Sequence, residues 1–201
     1  MPAELTINEA AHLAGVSTKL IEKSVESGIL HAEKVTDYLS HRATRRLPLA
    51  AVPFLSVIND AWLRDLPVAR KRYLWSLVNR SRLISEDRLV EIRLTEGITL
   101  DLECMAGSRT RLAHAYRVAR DAHLISDEEI MGGTPVIRGT RLTVYSVLGR
   151  LEGGDTIGNV MADYPDVPEA AFTAAATYAR THPLRGRPSG RPWMPGAASR
   201  H

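Results

Sequence analysis

The sequence predicts a mainly α-helical protein with small β-hairpins. A helix-turn-helix and a basic hairpin stand at the N-terminus, and a small helical, helix-turn-helix-like domain stands at the C-terminus. Three observations predict this. Apolar residues recur at helical spacing through residues 7–30, period-two alternation fills residues 90–102, and an alanine-rich stretch opened by Pro168 runs from Glu169 to about Thr181.

Composition sets the bounds. A chain of 201 residues holds one large domain or two small ones, and 44% hydrophobic with 24% charged residues is ordinary for a globular protein. No apolar run approaches the roughly 20 residues that span a bilayer, and the first residues are acidic where a signal peptide would be basic. The single cysteine, Cys104, excludes an internal disulfide and a cysteine-built zinc site. A cytoplasmic protein with no membrane association is expected. The net charge of +3 is unevenly spread: +4 in residues 1–82, −5 in 83–182 and +4 in 183–201. Two basic ends flanking an acidic middle point to polyanionic or acidic partners at the ends.

Along residues 7–30, Ile7, Ala10, Ala11 and Ala14 form one apolar helix face, and Gly15 stops it. Ser17 caps a second helix whose inward residues are Leu20, Ile21 and Val25, and Ser27-Gly28 ends it. Small residues at 10, 11 and 14 allow the helices to cross closely. A hairpin-like stretch follows from His31 to Leu47, and Pro48-Leu49 opens a third helix through Ile58.

This order, with Ala-Gly-Val-Ser at the turn and Ser-Gly-Ile-Leu after the second helix, resembles the DNA-binding head of MerR-type winged-helix regulators. The resemblance implies a winged helix-turn-helix over residues 1–82, including the helix that follows it. Ser17, Thr18, Lys19 and Lys23 would then meet base edges and phosphates in a major groove. Arg42, Arg45 and Arg46 occupy the basic tip of the wing and would bind phosphates with salt-dependent affinity. The family's Arg and Tyr in the second half of the second helix are replaced here by Glu22, Lys23 and Ser24.

Residues 65–82 predict another helix, with Leu66, Ala69, Tyr73, Leu77 and an Arg70-Lys71-Arg72 triplet. Tyr73 and Trp75 read as core or dimer contacts rather than nucleic-acid platforms. Residues 83–124 form a separate stretch. Val90, Ile92 and Leu94 alternate with charges, as do Ile98, Leu100 and Leu102, around the turn Thr95-Glu96-Gly97. Gly107-Ser108 are expected to cap a helix over Arg109–Ala122, with Leu112, Ala115, Tyr116 and Ala119 inward.

The stretch Ile125–Tyr145 carries the heaviest punctuation: Gly132-Gly133, Thr134-Pro135 and Gly139-Thr140-Arg141 around the apolar run Pro135–Ile137. Asp127, Glu128 and Glu129 after Ser126 suit a helix N-terminus. Helices are predicted over Val144–Leu151, Ile157–Tyr164 and Glu169 to about Thr181, the last packing through Phe172, Ala175, Ala176 and Ala179. Residues 183–201 have four prolines, three glycines and four arginines, a composition that cannot bury a core and is expected to be disordered when free.

No catalytic signature emerges. The seven histidines show no metal-ligand spacing, no nucleophile elbow is present, and Gly132-Gly133 lacks the Lys and Ser/Thr of a P-loop. Neither an enzyme, a metal site nor a cofactor is expected.

Ile-Met-Gly-Gly-Thr-Pro-Val-Ile-Arg-Gly-Thr-Arg, then Gly-Gly-Asp, Asp-Tyr-Pro and a helix ending Tyr-Ala, resemble the signature of number 433 among the domains of unknown function, over residues 125–182. Proteins joining this domain to an N-terminal helix-turn-helix resemble VapB-type antitoxins, whose partners are PIN-like ribonuclease toxins. The resemblance implies a type II antitoxin that represses its own operon as a homodimer, or a higher hetero-oligomer with toxin, and neutralises the toxin. Arg185, Arg187, Arg191 and Trp193 of the tail are the expected toxin contacts, an arginine displacing the metal of the nuclease site. Arg185-Gly186-Arg187-Pro188 also resembles an AT-hook for the minor groove, so both readings of the tail stay open. Arg138 and Arg141 either pin their loop to the acids at 127–129 or meet a partner. The alternative for the whole chain is a stand-alone MerR-like regulator with no toxin.

Overall fold

The computed structural model describes residues 4–80 and 91–184. It is mainly helical with small antiparallel sheets. The chain opens with β1 (Leu5–Thr6) and α1 (Ile7–Ala14). Thr6 and Glu9 form a reciprocal capping box, Thr6 Oγ1 accepting from Glu9 N at 3.2 Å and Glu9 Oε2 accepting from Thr6 N at 2.7 Å. Gly15 ends α1 at φ 67°, a left-handed conformation, and the Arg109 guanidinium lies where a Cβ would be. The backbone conformation is what favours glycine here, since the guanidinium at the end of a flexible side chain can move aside. The chain then enters α2 (Thr18–Glu26), and β2 (Glu33–Thr36) and β3 (Ala43–Leu47) complete a sheet of order β1-β3-β2. Its antiparallel register pairs Leu5 with Leu47 and Glu33 with Arg46. Helices α3 (Ala51–Ile58), α4 (Ala61–Arg64) and α5 (Val68–Arg80) follow.

The second half has a hairpin, β4 (Glu91–Thr95) and β5 (Ile98–Asp101), running directly into α6 (Leu102–His123). Then come β6 (Leu124–Ile125), β7 (Val136–Ile137), α7 (Val144–Glu152), α8 (Ile157–Asp163) and α9 (Glu169–Thr181). The long helix α6 is the spine, packing against α3 and α9. Among the described residues, no helix is long and apolar enough to cross a membrane.

Two apolar cores result among the described residues. The first gathers Leu5, Leu13, Ile21, Phe54, Leu74 and Leu102, with Trp75 tilted against Phe54 at 5.3 Å between ring centroids. Ile92, Leu94 and Leu100 bring the β4–β5 hairpin into it. The second gathers Leu124, Ile137, Val144, Val147, Phe172 and Tyr178, and includes all four predicted contacts of α9. Each core takes a residue from the other half: Leu39 of the β2–β3 connection sits in the second, Ala174 of α9 in the first.

Several expectations are corrected. The helix expected from Arg109 begins at Leu102, because Asp101 caps it by accepting from Cys104 N at 2.9 Å. Gly107 is buried inside that helix; its cost of about 1 kcal/mol is outweighed by burial of Leu102, Ala106 and Thr110 around it. Cys104 therefore lies in a first helical turn and is exposed. The inward stripe of α6 is Thr110, Ala113, Tyr116 and Ala119, leaving Leu112 and Ala115 outside. In α5 the buried residues are Leu74 and Val78, and Tyr73 faces solvent. Asp127–Glu129 form a tight turn closed by an Asp127–Ile130 bridge rather than a helix start.

Candidate nucleic-acid interface and the hairpin junction

The outer face of α2 follows from its inner one. Ile21 and Ser24 are buried, Ser24 Oγ donating to the Leu20 carbonyl at 2.8 Å, so the helical repeat turns Thr18, Lys19, Glu22 and Lys23 outward. Ser17 is the N-cap, its Oγ accepting from Leu20 N at 3.3 Å. Ser17, Thr18, Lys19 and Lys23 are all exposed, and among the described residues neither lysine has a salt-bridge partner. Chemically, this face can present two ammonium groups and two hydroxyls to an anionic surface, tempered by Glu22.

The hairpin behaves differently. Arg46 is 7% exposed and forms an ion pair with Asp37, itself 1% exposed, so it is not available to a phosphate. The expected phosphate contact at Arg46 is therefore corrected. Alternation along β3 turns Thr44 and Arg46 to the inner face and Arg45 to solvent. Burial opposes ionisation of Asp37, but the Ser40 hydroxyl at 2.6 Å and the Arg46 guanidinium outweigh it and hold the carboxyl below its ordinary range. The connection between the strands docks on the C-terminal half. Leu39 is 1% exposed in the second core, Tyr38 Oη donates to Asp121 at 2.9 Å, and His41 Nε2 lies 3.1 Å from Ser126 Oγ. Burial and the Asp121 carboxylate push the Tyr38 phenol up to about 12, against the pull of Arg120. Arg42 is exposed at the edge of this contact and faces Tyr145.

A second buried cluster escaped sequence reasoning. Arg120 Nη1 donates to both oxygens of Glu9 at 3.0 and 3.1 Å, and Tyr116 Oη donates to Glu9 at 2.5 Å. Burial and the nearby carboxylate raise the Tyr116 phenol well above its ordinary value. The one available signal was Glu9 at the third position of a capping box; its partners lie more than a hundred residues along the chain.

In the loop 125–145, Met131, Gly132 and Gly133 take successive positive φ values of 53°, 62° and 76°. Ser126 Oγ donates to the Gly133 carbonyl at 2.7 Å, and Thr143 caps α7 by accepting from Ser146 N at 3.0 Å. Arg138 Nε donates to the Ala122 carbonyl at 3.0 Å, and no ion pair joins Arg138 or Arg141 to Asp127, Glu128 or Glu129 among the described residues. For Arg138, pinning to those acids is thus replaced by a backbone contact to the end of α6. Arg150 ties α7 to α8 through Asp155 at 2.7 Å and Asp163 at 2.6 Å. The tail residues Arg185, Arg187, Arg191 and Trp193 lie outside the described residues. Among the described residues no cluster of three or more His, Cys, Asp or Glu could hold a metal ion.

Residues 125–179 match the family model described as "Protein of unknown function (DUF433)". This stretch is a DUF433 domain. Its glycine loop and arginine-bearing turn are the features just described. Among curated proteins, "Uncharacterized protein y4eO" of Sinorhizobium fredii is 33% identical over 131 residues, covering 53% of this chain. The chain spans 58% of that relative's length. Among solved structures, the X-ray crystal structure of Rv2018 from Mycobacterium tuberculosis is 19% identical, with 87% of this chain and 98% of that one covered at a TM-score of 0.32.

Proposed function

We propose that this protein is the antitoxin of a type II toxin–antitoxin pair. Its N-terminal half is a winged helix-turn-helix that holds operator DNA, and its C-terminal part holds a PIN-like ribonuclease toxin. The observation that carries the DNA half is the free outer face of α2, where Ser17, Thr18, Lys19 and Lys23 are exposed and the two lysines unpaired among the described residues. Arg45 is the hairpin arginine positioned to join them; Arg46 is not. The toxin half rests on the resemblance of a DUF433 domain joined to an N-terminal helix pair, and on the basic tail with Arg185, Arg187, Arg191 and Trp193. The working unit is a cytoplasmic homodimer whose two-fold symmetry matches a palindromic operator.

Co-expression with the adjacent open reading frame tests the toxin half. The pair is expected to copurify, and a chain ending at His182 should fail to neutralise the nuclease. Neutralisation by the shortened chain would remove the tail from the toxin contact and favour its AT-hook reading. One observation favours the stand-alone regulator: the hairpin is built into the DUF433 domain through Leu39 and His41, which couples the two halves with no third protein. Loss of operator binding in Lys19→Ala with Lys23→Ala, and no nuclease encoded nearby, would select that reading.

A further inference from the structure

Helix α6 has two faces of different character. Thr110, Ala113, Tyr116 and Arg120 are buried on the side that packs against α1, α3 and α9. The opposite side stays open to solvent over about four turns. Ser108, Leu112, Ala115, Val118 and Ala122 are all exposed there, Leu112 at 51% and Val118 at 46%. A lone exposed apolar residue is ordinary, but these two branched side chains share one stripe with only small residues at the positions between and beside them. Arg111 is the charged side chain within the stripe, and it pairs with Glu103 of its own helix.

Two features point to what covers this stripe. The first is its pattern. From Ser108 to Ala122 the spacings are 4, 3, 3 and 4 residues, and the side chains run small, large, small, large, small. The stripe reads alike in both directions from Ala115. A surface that matches its own reversal is what a two-fold contact between identical chains requires. With two copies antiparallel about Ala115, Leu112 of one stands level with Val118 of the other across the seam, and Ser108 stands level with Ala122. The small residue at the centre lets the two backbones approach closely. The second feature is charge. The same pairing brings Arg111 of one helix to about 3 Å along the axis from Asp121 of the other, on the same flank, and the two-fold repeats that approach. Both side chains are accessible, 59% for Arg111 and 42% for Asp121. Parallel pairing instead sets Arg111 against Arg111 and Asp121 against Asp121, and like charges repel.

We propose that the outer stripe of α6 is the interface with a second copy of this chain, the two helices pairing antiparallel about Ala115. This rests on the homodimer stated above and adds its contact surface and its orientation. Leu112 and Val118 supply the apolar contact, and Arg111 with Asp121 of the second copy sets the direction. A partner of different sequence, such as a nuclease, has no need of a stripe that matches its own reversal.

Sedimentation equilibrium of the full chain tests this. The parent should dimerise, and Leu112→Glu combined with Val118→Glu should weaken the dimer at least about tenfold, because each seam then holds four facing carboxylates. Trp62→Glu puts the same charge at an equally exposed apolar position on α4 and should leave the dimer unchanged. Circular dichroism checks that each variant keeps its helices. Cross-linking then reads the orientation. In a Cys104→Ser background, oxidation with copper phenanthroline should join two copies through Ala115→Cys. Ser108→Cys, about 21 Å from its counterpart in the antiparallel pair, should not cross-link. A dimer that withstands both glutamates, equal weakening by Trp62→Glu, or cross-linking through Ser108→Cys would each overturn the interface while leaving the homodimer standing. A parent chain that sediments as a monomer at every concentration would end both.

Discussion

The outer face of α2 and the β2–β3 hairpin carry similar side chains, yet the fold uses them differently. Lys19 and Lys23 project from a helix whose buried face is complete without them. Arg46, by contrast, is consumed by the fold, and the hairpin connection inserts Leu39 into the second core. Basic residues on a helix face are free when the opposite face is apolar enough to anchor it. Basic residues along a strand divide by parity, and the inner ones must find an acid. The lesson is that a count of arginines in a hairpin overstates its affinity for phosphate, and the alternation of the strand corrects the count.

Breaking the Asp37–Arg46 pair gives the largest expected effect. Asp37→Ala leaves a guanidinium buried and unpaired, and such a loss costs about 3–5 kcal/mol. Arg46→Ala should cost a similar amount from the other side. Urea denaturation reads both. A folded, fully stable Arg46→Ala protein that had lost operator affinity would restore Arg46 to the DNA contact and erase the distinction.

Next comes the anchor of the connection. Leu39→Ala removes a fully buried side chain and should destabilise by about 2–5 kcal/mol, with loss concentrated in the C-terminal half. Lys23→Ala, on the exposed face of α2, should stay within about 0.5 kcal/mol of the parent. Equal effects from the two substitutions would mean that the hairpin is no more built in than the helix. Hydrogen exchange of α9 amides in Leu39→Ala would show where the loss falls.

The same contrast explains what was legible in the sequence. Helices α1, α2 and α9 announce themselves through local signals: the apolar face from Ile7 to Ala14 stopped by Gly15, Ser17 as N-cap, and Pro168 before an alanine stripe. The β4–β5 hairpin declares itself by strict alternation. The start of α6 was hidden because Leu102 serves equally as the last alternating strand residue and the first helical one, and Gly107 looked like a cap. In α5 the sequence marks no single face, and only packing against α3 selects Leu74 and Val78 for the core while Tyr73 stays exposed. At the candidate site, Ser17 to Lys23 could be read from helix periodicity, but Arg46 could not. Its partner Asp37 lies across a turn, and the docking that buries both depends on α9, more than a hundred residues away. Long-range burial leaves no local mark.

A smaller effect should appear in DNA binding. Lys19→Ala and Lys23→Ala should each weaken operator affinity across sequences and reduce the slope of log K against log salt by about 1 if each lysine meets one phosphate. Arg45→Ala should do the same. A slope unchanged in all three would take α2 and the hairpin away from the backbone together, leaving DNA affinity, if any, to the tail.

The smallest expected effect is acid sensitivity of the junction. Asp37 has its pKa held below the ordinary carboxylate value in the folded chain, despite burial, by Ser40 and Arg46. A depressed carboxylate contributes stability that is complete above the unfolded value, about 3.9, and is lost as pH falls through the lower folded one. The hairpin should therefore stay docked at neutral pH and loosen only in acid, below the ordinary carboxylate range. Tyr38 and His41 then lose their contacts with Asp121 and Ser126 as Leu39 leaves the second core. Following the pH dependence of urea stability in parent and Asp37→Asn proteins checks the sign. The parent should lose stability toward low pH more steeply than Asp37→Asn, which has no carboxyl to protonate at this position. Identical acid limbs would show that Asp37 does not supply the linkage, and the contrast between hairpin and helix would then rest on Leu39 alone.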